Sequence, residues 1–265
     1  MDALDQFKAN QKAAWANFSQ LETITGTVAP HLVRFAGVRP GARLLDVACG
    51  TGVVALTAAR AGANVQGVDL TPELVQHARN NAAVMRVEAN FQEGDAEALP
   101  FADGTFDIVV SQFGHMFAPR PEIALREMLR VLVPGGTVAF STWPPELFTG
   151  RWFALMGRYA PPPPPGVSPP AQWGDPNIVR ERLGSAVRDL AFTRNTMWVA
   201  TLSPQHYRLN MAENFGPAKK LFEQLDAKDP AKAAELRSEI DALANMYFED
   251  NRVRQDFLIT RAVKI

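Results

Sequence analysis

The sequence predicts an α/β protein with a doubly wound, mostly parallel sheet, and three observations lead to this fold class. Short apolar segments alternate with amphipathic segments from about residue 40 to residue 142. This β-α-β-α order is typical of a parallel sheet with helices on both faces. The first segment, "ARLLDVA", is apolar and continuous, as expected for a strand buried on both faces. The chain of 265 residues is 47% hydrophobic, which is enough for a sizeable core.

Local turn and cap signals bound the first elements after that strand. "VALTAARAG" predicts a helix that ends at Gly62, and "NVQGVDL" predicts the second strand. Thr71 and Pro72 supply an N-cap and a first-turn proline for the next helix. "VEANFQEGD" and "FDIVVSQ" predict the third and fourth strands, and the fourth is entered through the Asp103-Gly104 turn.

The next helix is predicted from its apolar face. In "PEIALREMLRVLVPGG", this face comprises Leu125, Met128, Leu129 and Leu132. We expect the Pro-Gly-Gly tripeptide at 134–136 to end the helix and to start the strand "TVAFST". A short apolar helix then precedes a proline tract, which is expected to be a stiff loop because proline interrupts both helices and central strands.

The C-terminal part carries three further helix starts. Asp175, Ser203 and Asp229 are each followed by proline, which is typical of an N-cap and a first helical turn. "LAFTRNTMWVATL" and "RQDFLITRAVKI" predict the last two strands. The signals divide the chain into an N-terminal helical segment (1–39), a core (40–142), a proline- and aromatic-rich insertion with a helix and a strand (143–202), a helical cap insertion (203–251) and the final strand of the core sheet (252–265).

Charge and cysteine content exclude several classes of protein. The net charge of −1 offers no basic field for a nucleic acid. Cys49 is the only cysteine, so no internal disulfide can form, and we expect a reducing, cytoplasmic compartment. The polar N-terminus lacks a signal-peptide pattern, and no apolar stretch is long enough to span a bilayer. The histidines His31, His77, His115 and His206 are far apart, so no metal site is expected.

The segment "LLDVACGTGVVA" suggests the binding site. Gly50, Gly52 and Ala55 satisfy the G-x-G-x-x-G/A pattern of a dinucleotide-binding turn, but Asp46 lies just before the first glycine. A carboxylate there repels a pyrophosphate and favours a ligand that carries an ammonium group. In an open parallel sheet, ligands bind beyond the carboxyl ends of the strands. Those ends carry Asp69 after the second strand, Asp95-Ala96 after the third and Gln112-Phe113 after the fourth.

Four ordered motifs resemble class I S-adenosylmethionine-dependent methyltransferases, in particular the ubiquinone/menaquinone-biosynthesis-like (methyltransferase type 11) group. The motifs are "LLDVACGTG", "VQGVDLTPELVQHAR", "EGDAEALPFADGTFDIVVSQF" and "EMLRVLVPGG". The resemblance covers roughly residues 40 to 142 closely and the rest of the chain more loosely. It implies a Rossmann-like methyltransferase fold, with a seven-stranded sheet whose last strand is reversed, and S-adenosylmethionine as the cofactor.

The resemblance also implies a role for each residue at the strand ends. Asp46, Gly50, Thr51 and Gly52 would line the methionine part of the cofactor, and Ala48 belongs to the same cofactor-binding set. Asp69 would bind the ribose, Leu70 would pack on the adenine, Asp95 would contact the adenine amino group and Ala96 would lie at its edge. Gln112 and Phe113 would face the methyl-bearing sulfur. The helix that carries Trp15 would close over the cofactor.

The resemblance implies methyl transfer to a small apolar or aromatic molecule, on oxygen or carbon, with S-adenosylhomocysteine as product. The chain has no N-P-P-[YF] tetrapeptide, which argues against an amide or nucleobase nitrogen acceptor. His115 follows the fourth strand and is a candidate general base, although a helix-capping or backbone-bonding role is an alternative. We expect residues 143–175 and 203–251 to form a lid over the substrate pocket.

Two other functions stay open at this point. One is a non-catalytic cofactor-binding protein with a methyltransferase fold, because a fold does not guarantee chemistry. The other is an NAD(P)-dependent oxidoreductase, against which Asp46 argues. The sequence also leaves open whether the chain is a monomer or a homodimer.

Overall fold

The structure is a computed structural model that describes residues 3–16 and 18–265, and their strands form one mixed sheet. The strands are β1 (Arg43–Val47), β2 (Asn64–Asp69), β3 (Asn90–Glu93), β4 (Phe106–Gln112), β5 (Leu132–Thr142), β6 (Val187–Ala200), β7 (Phe248–Glu249) and β8 (Arg252–Lys264). Their order is β3-β2-β1-β4-β5-β8-β6, and β7 pairs with β8 outside this path. The strands β1 to β5 are parallel to one another, whereas β8 runs antiparallel to β5.

Helices surround this sheet. Within the described residues they are α1 (Ala3–Trp15), α2 (Glu22–Thr25), α3 (Ala29–Phe35), α4 (Val53–Arg60), α5 (Pro72–Met85), α6 (Pro121–Arg130), α7 (Phe148–Tyr159), α8 (Pro176–Leu183), α9 (Pro204–Asn214), α10 (Gly216–Lys228) and α11 (Pro230–Asn245). The helix α3 packs against β4, β5 and β8, α4 packs against β1 and β2, and α5 packs against β2 and β3. The helices α6 and α8 pack against β5 and β6, respectively. The predicted fold class, a mostly parallel doubly wound sheet with a reversed last strand, is confirmed. An eighth strand, the two-residue β7, was not predicted.

The antiparallel pair β6–β8 extends beyond the parallel strands. The last residue of β5, Thr142, pairs with Leu258, and from there β8 continues toward Arg252 with β6 alone as its main neighbour. This pairing runs as far as Ala200 and Arg252. We call the paired segments 195–200 and 252–257 the β6–β8 arm. The arm projects past the carboxyl ends of the parallel strands, where ligands bind in this class of fold.

The prediction for the Pro-Gly-Gly tripeptide was wrong. The helix α6 already ends at Arg130, and β5 begins at Leu132 and includes residues 134–136. The pairing register shifts between Phe106↔Leu132 and Ile108↔Thr137, so the tripeptide forms an irregularity inside the strand. Gly135 has a φ of 76°, a conformation that glycine adopts without strain. Leu132 therefore belongs to the sheet and not to the helical face.

Three helices, rather than the two predicted, form the 203–251 insertion. Ser203 caps α9 by accepting a hydrogen bond from the His206 amide, and Asp229 caps α11 through the Lys232 amide. The helix α10 starts at Gly216, where an added Cβ would overlap the Ala14 carbonyl oxygen at the end of α1. The insertion is thereby packed directly against the N-terminal helix.

Membrane-spanning helices and clusters of metal ligands are both absent from the described residues. No helix formed by residues 3–16 and 18–265 is long and apolar enough to cross a membrane. The same residues contain no group of three or more His, Cys, Asp or Glu side chains that could hold a metal ion.

Candidate functional site

The carboxyl ends of β1, β2 and β4 open into one large cavity, covered by α1, α7, α9 and the β6–β8 arm. Its empty space is about 1490 Å³, part of which is open to solvent. We call the side formed by α1 and the segments after β1 to β4 the strand-end side. The opposite side, which we call the cap side, consists of Trp143, Thr149, Trp152, Phe153, Met197, Val199, Tyr207, Met211, Phe215 and Gln255.

Most of the residues predicted to bind a cofactor line this cavity. They are Trp15, Asp46, Ala48, Gly50, Thr51, Asp69, Leu70, Asp95, Ala96, Gln112 and Phe113. Two predicted residues, Gly52 and His115, lie outside the lining.

Asp46 is the most unusual polar group of the strand-end side. It lies on β1 and is only 1% exposed. One carboxylate oxygen, Oδ2, accepts a hydrogen bond of 3.0 Å from the Ala55 amide in the first turn of α4. The other, Oδ1, is buried and has no hydrogen-bond partner among the described residues. Burial raises the pKa of Asp46 to about 8, and the nearby Asp69 carboxylate contributes to this rise. The site is therefore suited to a cationic partner for Oδ1.

The two glycines of the loop after β1, Gly50 and Gly52, have different structural roles. Gly50 has a φ of 56° and open space around the position of its missing side chain. Its lack of a Cβ lets a ligand approach the backbone closely. Gly52 has a φ of 85°, and an added Cβ would lie 3.1 Å from the Phe91 ring and 3.2 Å from Ala78. Gly52 therefore lets α4 start close to its neighbours, and its missing side chain faces the core instead of the cavity.

Asp69 is held by the backbone on both of its oxygens. Oδ2 accepts a hydrogen bond of 2.8 Å from the Gly50 amide, and Oδ1 accepts one of 2.9 Å from the Thr71 amide. Burial raises the pKa of Asp69, and these hydrogen bonds oppose that rise. The Leu70 amide and the Thr71 hydroxyl also donate to this carboxylate and oppose the rise. The two bonds also fix the glycine loop relative to the end of β2.

Asp95 is engaged by α1. Its Oδ2 lies 2.6 Å from the Lys8 ammonium, and its Oδ1 accepts a hydrogen bond of 2.8 Å from the Glu97 amide. Lys8 also lies 2.6 Å from the buried carboxylate of Glu97, which in turn pairs with Arg120. Gln11, one turn further along α1, donates to the Phe117 carbonyl. These contacts hold α1 across the strand-end side of the cavity.

Gln112 and Phe113 lie at the junction between the two sides. The Gln112 amide nitrogen donates a hydrogen bond of 2.8 Å to the Thr25 carbonyl, whereas its Oε1 is buried without a partner in the described part of the chain. Phe113 has a φ of 58°, which is uncommon for a residue with a large side chain. Its ring stacks on Trp143 with a centroid distance of 3.9 Å. The strained turn thus places an aromatic face beside the end of β4.

His115 does not lie where a general base would have to lie. Its side chain is 1% exposed and packs between Phe140 and Trp173, with centroid distances of 4.6 and 4.7 Å. Neither ring nitrogen has a hydrogen-bond partner among the residues described, so the capping alternative is not supported either. Burial lowers the pKa of His115 to about 3. An added Cβ at the neighbouring Gly114 would lie 2.5 Å from the Ala48 Cβ, so the turn before His115 packs tightly against the segment after β1.

Trp15 links α1 to the cap side. Its ring lies 4.7 Å from Phe117 and 5.2 Å from Phe215, measured between centroids. The ring of Phe18 packs on it from the other direction at 5.4 Å. Trp15 therefore lines the cavity as part of an aromatic cluster shared by α1 and the start of α10.

Comparison with known proteins places this site in a family. The family described as "Methyltransferase domain" matches residues 45–140. An uncharacterised protein of Mycobacterium tuberculosis is 36% identical over 260 residues, which is 97% of this chain and 94% of the relative. A demethylmenaquinone methyltransferase of Thermus thermophilus is 44% identical over 105 residues, covering 39% of this chain and 48% of that enzyme. The chain belongs to the class I S-adenosylmethionine-dependent methyltransferases.

The fold of this methyltransferase family member is also shared by solved structures. The YcgJ protein of Bacillus subtilis superposes with a TM-score of 0.61 at 20% sequence identity, over 90% of this chain and 98% of YcgJ. The resemblance identified from the four sequence motifs is thereby confirmed at the level of family and fold.

The methyltransferase cavity also contains residues that the sequence did not reveal. Lys8 and Gln11 were missed because the sequence of an amphipathic helix does not indicate which residues its polar side chains contact. Met197, Val199 and Gln255 of the β6–β8 arm were missed because the arm's length depends on long-range pairing. A signal was present, since Val253, Gln255 and Phe257 are buried in alternation and Gln255 is the polar member. Trp173 belongs to the segment 143–175 that was expected to form a lid, but it packs beside His115 and does not line the cavity.

Proposed function

We propose that the chain binds S-adenosylmethionine on the strand-end side and transfers its methyl group to a small, mainly apolar or aromatic molecule on the cap side. The acceptor atom is oxygen or carbon, and S-adenosylhomocysteine is the product. The observation that carries the proposal is the buried, unpartnered Oδ1 of Asp46 in a cavity whose cap side is apolar. With one cysteine and a net charge of −1, we place this reaction in the cytoplasm and on a small molecule instead of a nucleic acid.

The residues of the strand-end side fit this cofactor. The amino group of its methionine part would pair with Asp46 Oδ1, which supplies the cationic partner that the buried carboxylate lacks. The Asp69 carboxylate, which lines the cavity at the end of β2, would receive the ribose hydroxyls. Gly50 gives the ligand access to the backbone, and Leu70 and Ala96 offer apolar contacts for the adenine.

The chain's contribution to the chemistry is alignment and exclusion of water. When bound, the cofactor supplies a methyl group that its sulfonium already activates. Aromatic faces near the junction, above all the Phe113–Trp143 stack, stabilise positive charge through their π-systems. The contacts of α1 with Asp95 and Phe117 close the cavity over the reacting groups, which favours a productive geometry.

The titratable groups of the cap side do not include an effective base. Among the described residues, Tyr207 is the one such group of the cap side, and burial raises its pKa, so its hydroxyl stays protonated at neutral pH. His115 is buried outside the lining. We therefore propose that the acceptor enters in a form that is already nucleophilic, and that no side chain of the cap side removes its proton.

The nicotinamide alternative fits the site less well. In dinucleotide-binding folds, the pyrophosphate binds at the N-terminus of the helix after the glycine loop. Here a carboxylate oxygen of Asp46 already accepts from the Ala55 amide at that end of α4. A pyrophosphate at the same helix end would be repelled by this carboxylate and by the nearby Asp69.

Calorimetry followed by a transfer assay tests the proposal. We expect S-adenosylhomocysteine to bind and NADH not to bind. The protein is then incubated with S-adenosylmethionine carrying a deuterated methyl group and a panel of phenols, quinols and fatty acids, and mass spectrometry detects the labelled products. Binding without transfer to any compound would favour the non-catalytic alternative, and binding of NADH alone would overturn the proposal.

A further inference from the structure

Three polar side chains meet inside the otherwise apolar cap side. Thr149 lies in the first turn of α7, Tyr207 lies on α9, and Gln255 lies on the β6–β8 arm. The Gln255 amide nitrogen donates a hydrogen bond of 2.8 Å to the Tyr207 hydroxyl. The Thr149 hydroxyl donates to the Gln255 Oε1 at 3.4 Å. Tyr207 and Gln255 are 3% and 5% exposed, so these two members of the cluster are buried although they line the cavity, whereas Thr149 is partly exposed.

The hydrogen bonds of this cluster run in one direction. Thr149 donates to Gln255, and Gln255 donates to Tyr207, which leaves the proton of the Tyr207 hydroxyl as the last donor of the series. No residue in the described part of the chain accepts that proton. Hydrogen bonds in a series polarise one another, so the terminal hydroxyl is a stronger donor than an isolated one. A buried donor of this kind requires an acceptor.

The surroundings of Tyr207 limit what that acceptor can be. The charged residues that line the cavity within the described part of the chain are Lys8, Asp46, Asp69 and Asp95, and all four lie on the strand-end side. The Tyr207 ring is fixed by Phe148, with a centroid distance of 5.4 Å. An ionised group placed against this apolar, uncharged wall would lose its hydration without gaining a partner of opposite charge.

We infer that the Tyr207 hydroxyl, oriented by Gln255, donates a hydrogen bond to the carbonyl oxygen of a neutral, mainly apolar methyl acceptor. A carbonyl oxygen accepts without bringing a proton that needs a partner of its own. The inference rests on the proposed function and narrows its substrate class to neutral carbonyl compounds that also carry an enol. The carbonyl oxygen would accept from Tyr207, the enol oxygen or carbon would take the methyl group and leave S-adenosylhomocysteine, and the enol proton would pass to solvent. Tyr207 is thus a specificity-determining residue, and Gln255 is a positioning residue that acts through it.

A pair of probes that differ by one oxygen tests this inference. They are 1-tetralone, a neutral bicyclic ketone, and tetralin, the corresponding hydrocarbon. Calorimetric titration is carried out with wild type and Tyr207→Phe, both with and without saturating S-adenosylhomocysteine. We expect Tyr207→Phe to weaken 1-tetralone binding about tenfold and to change tetralin binding less than about twofold, because only the ketone loses a hydrogen bond.

Tyr159→Phe is the matched control, since it removes a phenol hydroxyl that bonds to Glu239 outside the cavity. It should leave the binding of both probes unchanged. Equal effects of Tyr207→Phe on the two probes, an unchanged ketone affinity, or no binding of either probe to the wild type at about 1 mM would each overturn the inference. Thermal unfolding confirms that each variant is folded. Failure of the proposed function is distinguishable, since it appears as absence of S-adenosylhomocysteine binding to the wild type.

Discussion

The Lys8 ammonium lies 2.6 Å from the Asp95 carboxylate, so the first helix of the chain is joined to the segment that follows β3. The same ammonium lies 2.6 Å from Glu97, whose side chain is almost fully buried. The Lys8 side chain is itself 17% exposed, so these ion pairs are shielded from solvent more than surface pairs are. Closure of the cavity by α1 therefore has an electrostatic component.

We predict that Lys8→Met loosens α1 without unfolding the protein, because Glu97 keeps its pair with Arg120. Amide hydrogen exchange of residues 3–15 should become about fivefold faster, which corresponds to about 1 kcal/mol of local stability. Lys12→Met is the control, since its partner Glu93 is 51% exposed and the loss should be smaller. Equal exchange rates in the two variants would show that the Lys8 pairs do not hold the helix.

A second prediction concerns the carboxylate proposed to bind the cofactor's amino group. Asp46→Asn keeps the size of the side chain but removes its charge, so S-adenosylhomocysteine affinity should fall at least about tenfold. Asp107→Asn removes a carboxylate that pairs with Arg43 outside the cavity, and it should leave the affinity unchanged. Calorimetry measures both. If Asp46→Asn binds within about twofold of the wild type, the amino group lies elsewhere.

The same substitution should change the pH dependence of stability in the ligand-free protein. The pKa of Asp46 is about 8 in the folded state, compared with about 3.9 in an unfolded chain. A group whose pKa is raised by folding contributes stability at pH values below its unfolded pKa. This contribution is lost as the pH rises toward 8. The melting temperature of the wild type should therefore fall relative to that of Asp46→Asn between about pH 4 and about pH 8. Parallel melting curves would contradict a buried, unpaired carboxylate.

Elements defined by local signals were predictable from the sequence. The strand β4 occupies Phe106–Gln112, the segment predicted from its apolar run, and Asp175, Ser203 and Asp229 cap helices as their position before proline indicated. These features depend on neighbours a few residues away, so they are encoded locally. The residues at the strand ends were predictable for a related reason, since the order of parallel strands brings their carboxyl ends to one edge.

Features that depend on distant contacts were not predictable. The irregularity in β5 is a matter of register against β4, and the β6–β8 arm exists because two strands far apart in the chain stay paired beyond Thr142. His115 was expected in the cavity because it follows β4. Its ring is instead buried against Phe140 of β5 and against Trp173, which belongs to a separate segment of the chain.

The buried position of His115 leads to a prediction about acid stability. Burial lowers the pKa of His115 to about 3, compared with about 6.5 in the unfolded chain. The contribution of the neutral imidazole to stability is therefore present above pH 6.5 and is lost as the pH falls. Between about pH 6.5 and about pH 5, the wild type should lose about 2 kcal/mol relative to His115→Leu. For a chain of this size that is roughly 4–8 °C in melting temperature, measured by differential scanning calorimetry.

His115→Leu should also keep the methyl-transfer rate within about fivefold of the wild type, because the imidazole does not line the cavity. A rate loss of about 10²-fold or more, with cofactor affinity kept, would instead restore the general-base role.

The last prediction concerns the contact between the end of α1 and the start of α10. Gly216 begins α10 and lies so close to the Ala14 carbonyl that an added Cβ would overlap it. Gly216→Ala must therefore push the end of α1 away from α10 and disturb the contact between Trp15 and Phe215. We expect faster hydrogen exchange in residues 3–15, by about tenfold, and weaker S-adenosylhomocysteine binding, with the exchange of the central strands unchanged.

Gly157→Ala is the matched control, because Gly157 lies within α7 and an added Cβ there meets nothing within 4 Å. This change should leave exchange in α1 unaltered and raise stability by roughly 0.5–1 kcal/mol, since alanine favours the helical state. If Gly216→Ala left α1 as protected as Gly157→Ala does, the helix would not depend on its contact with the cap. Its position over the strand-end side would then rest on its other contacts, which include those of Lys8, Gln11 and Lys12.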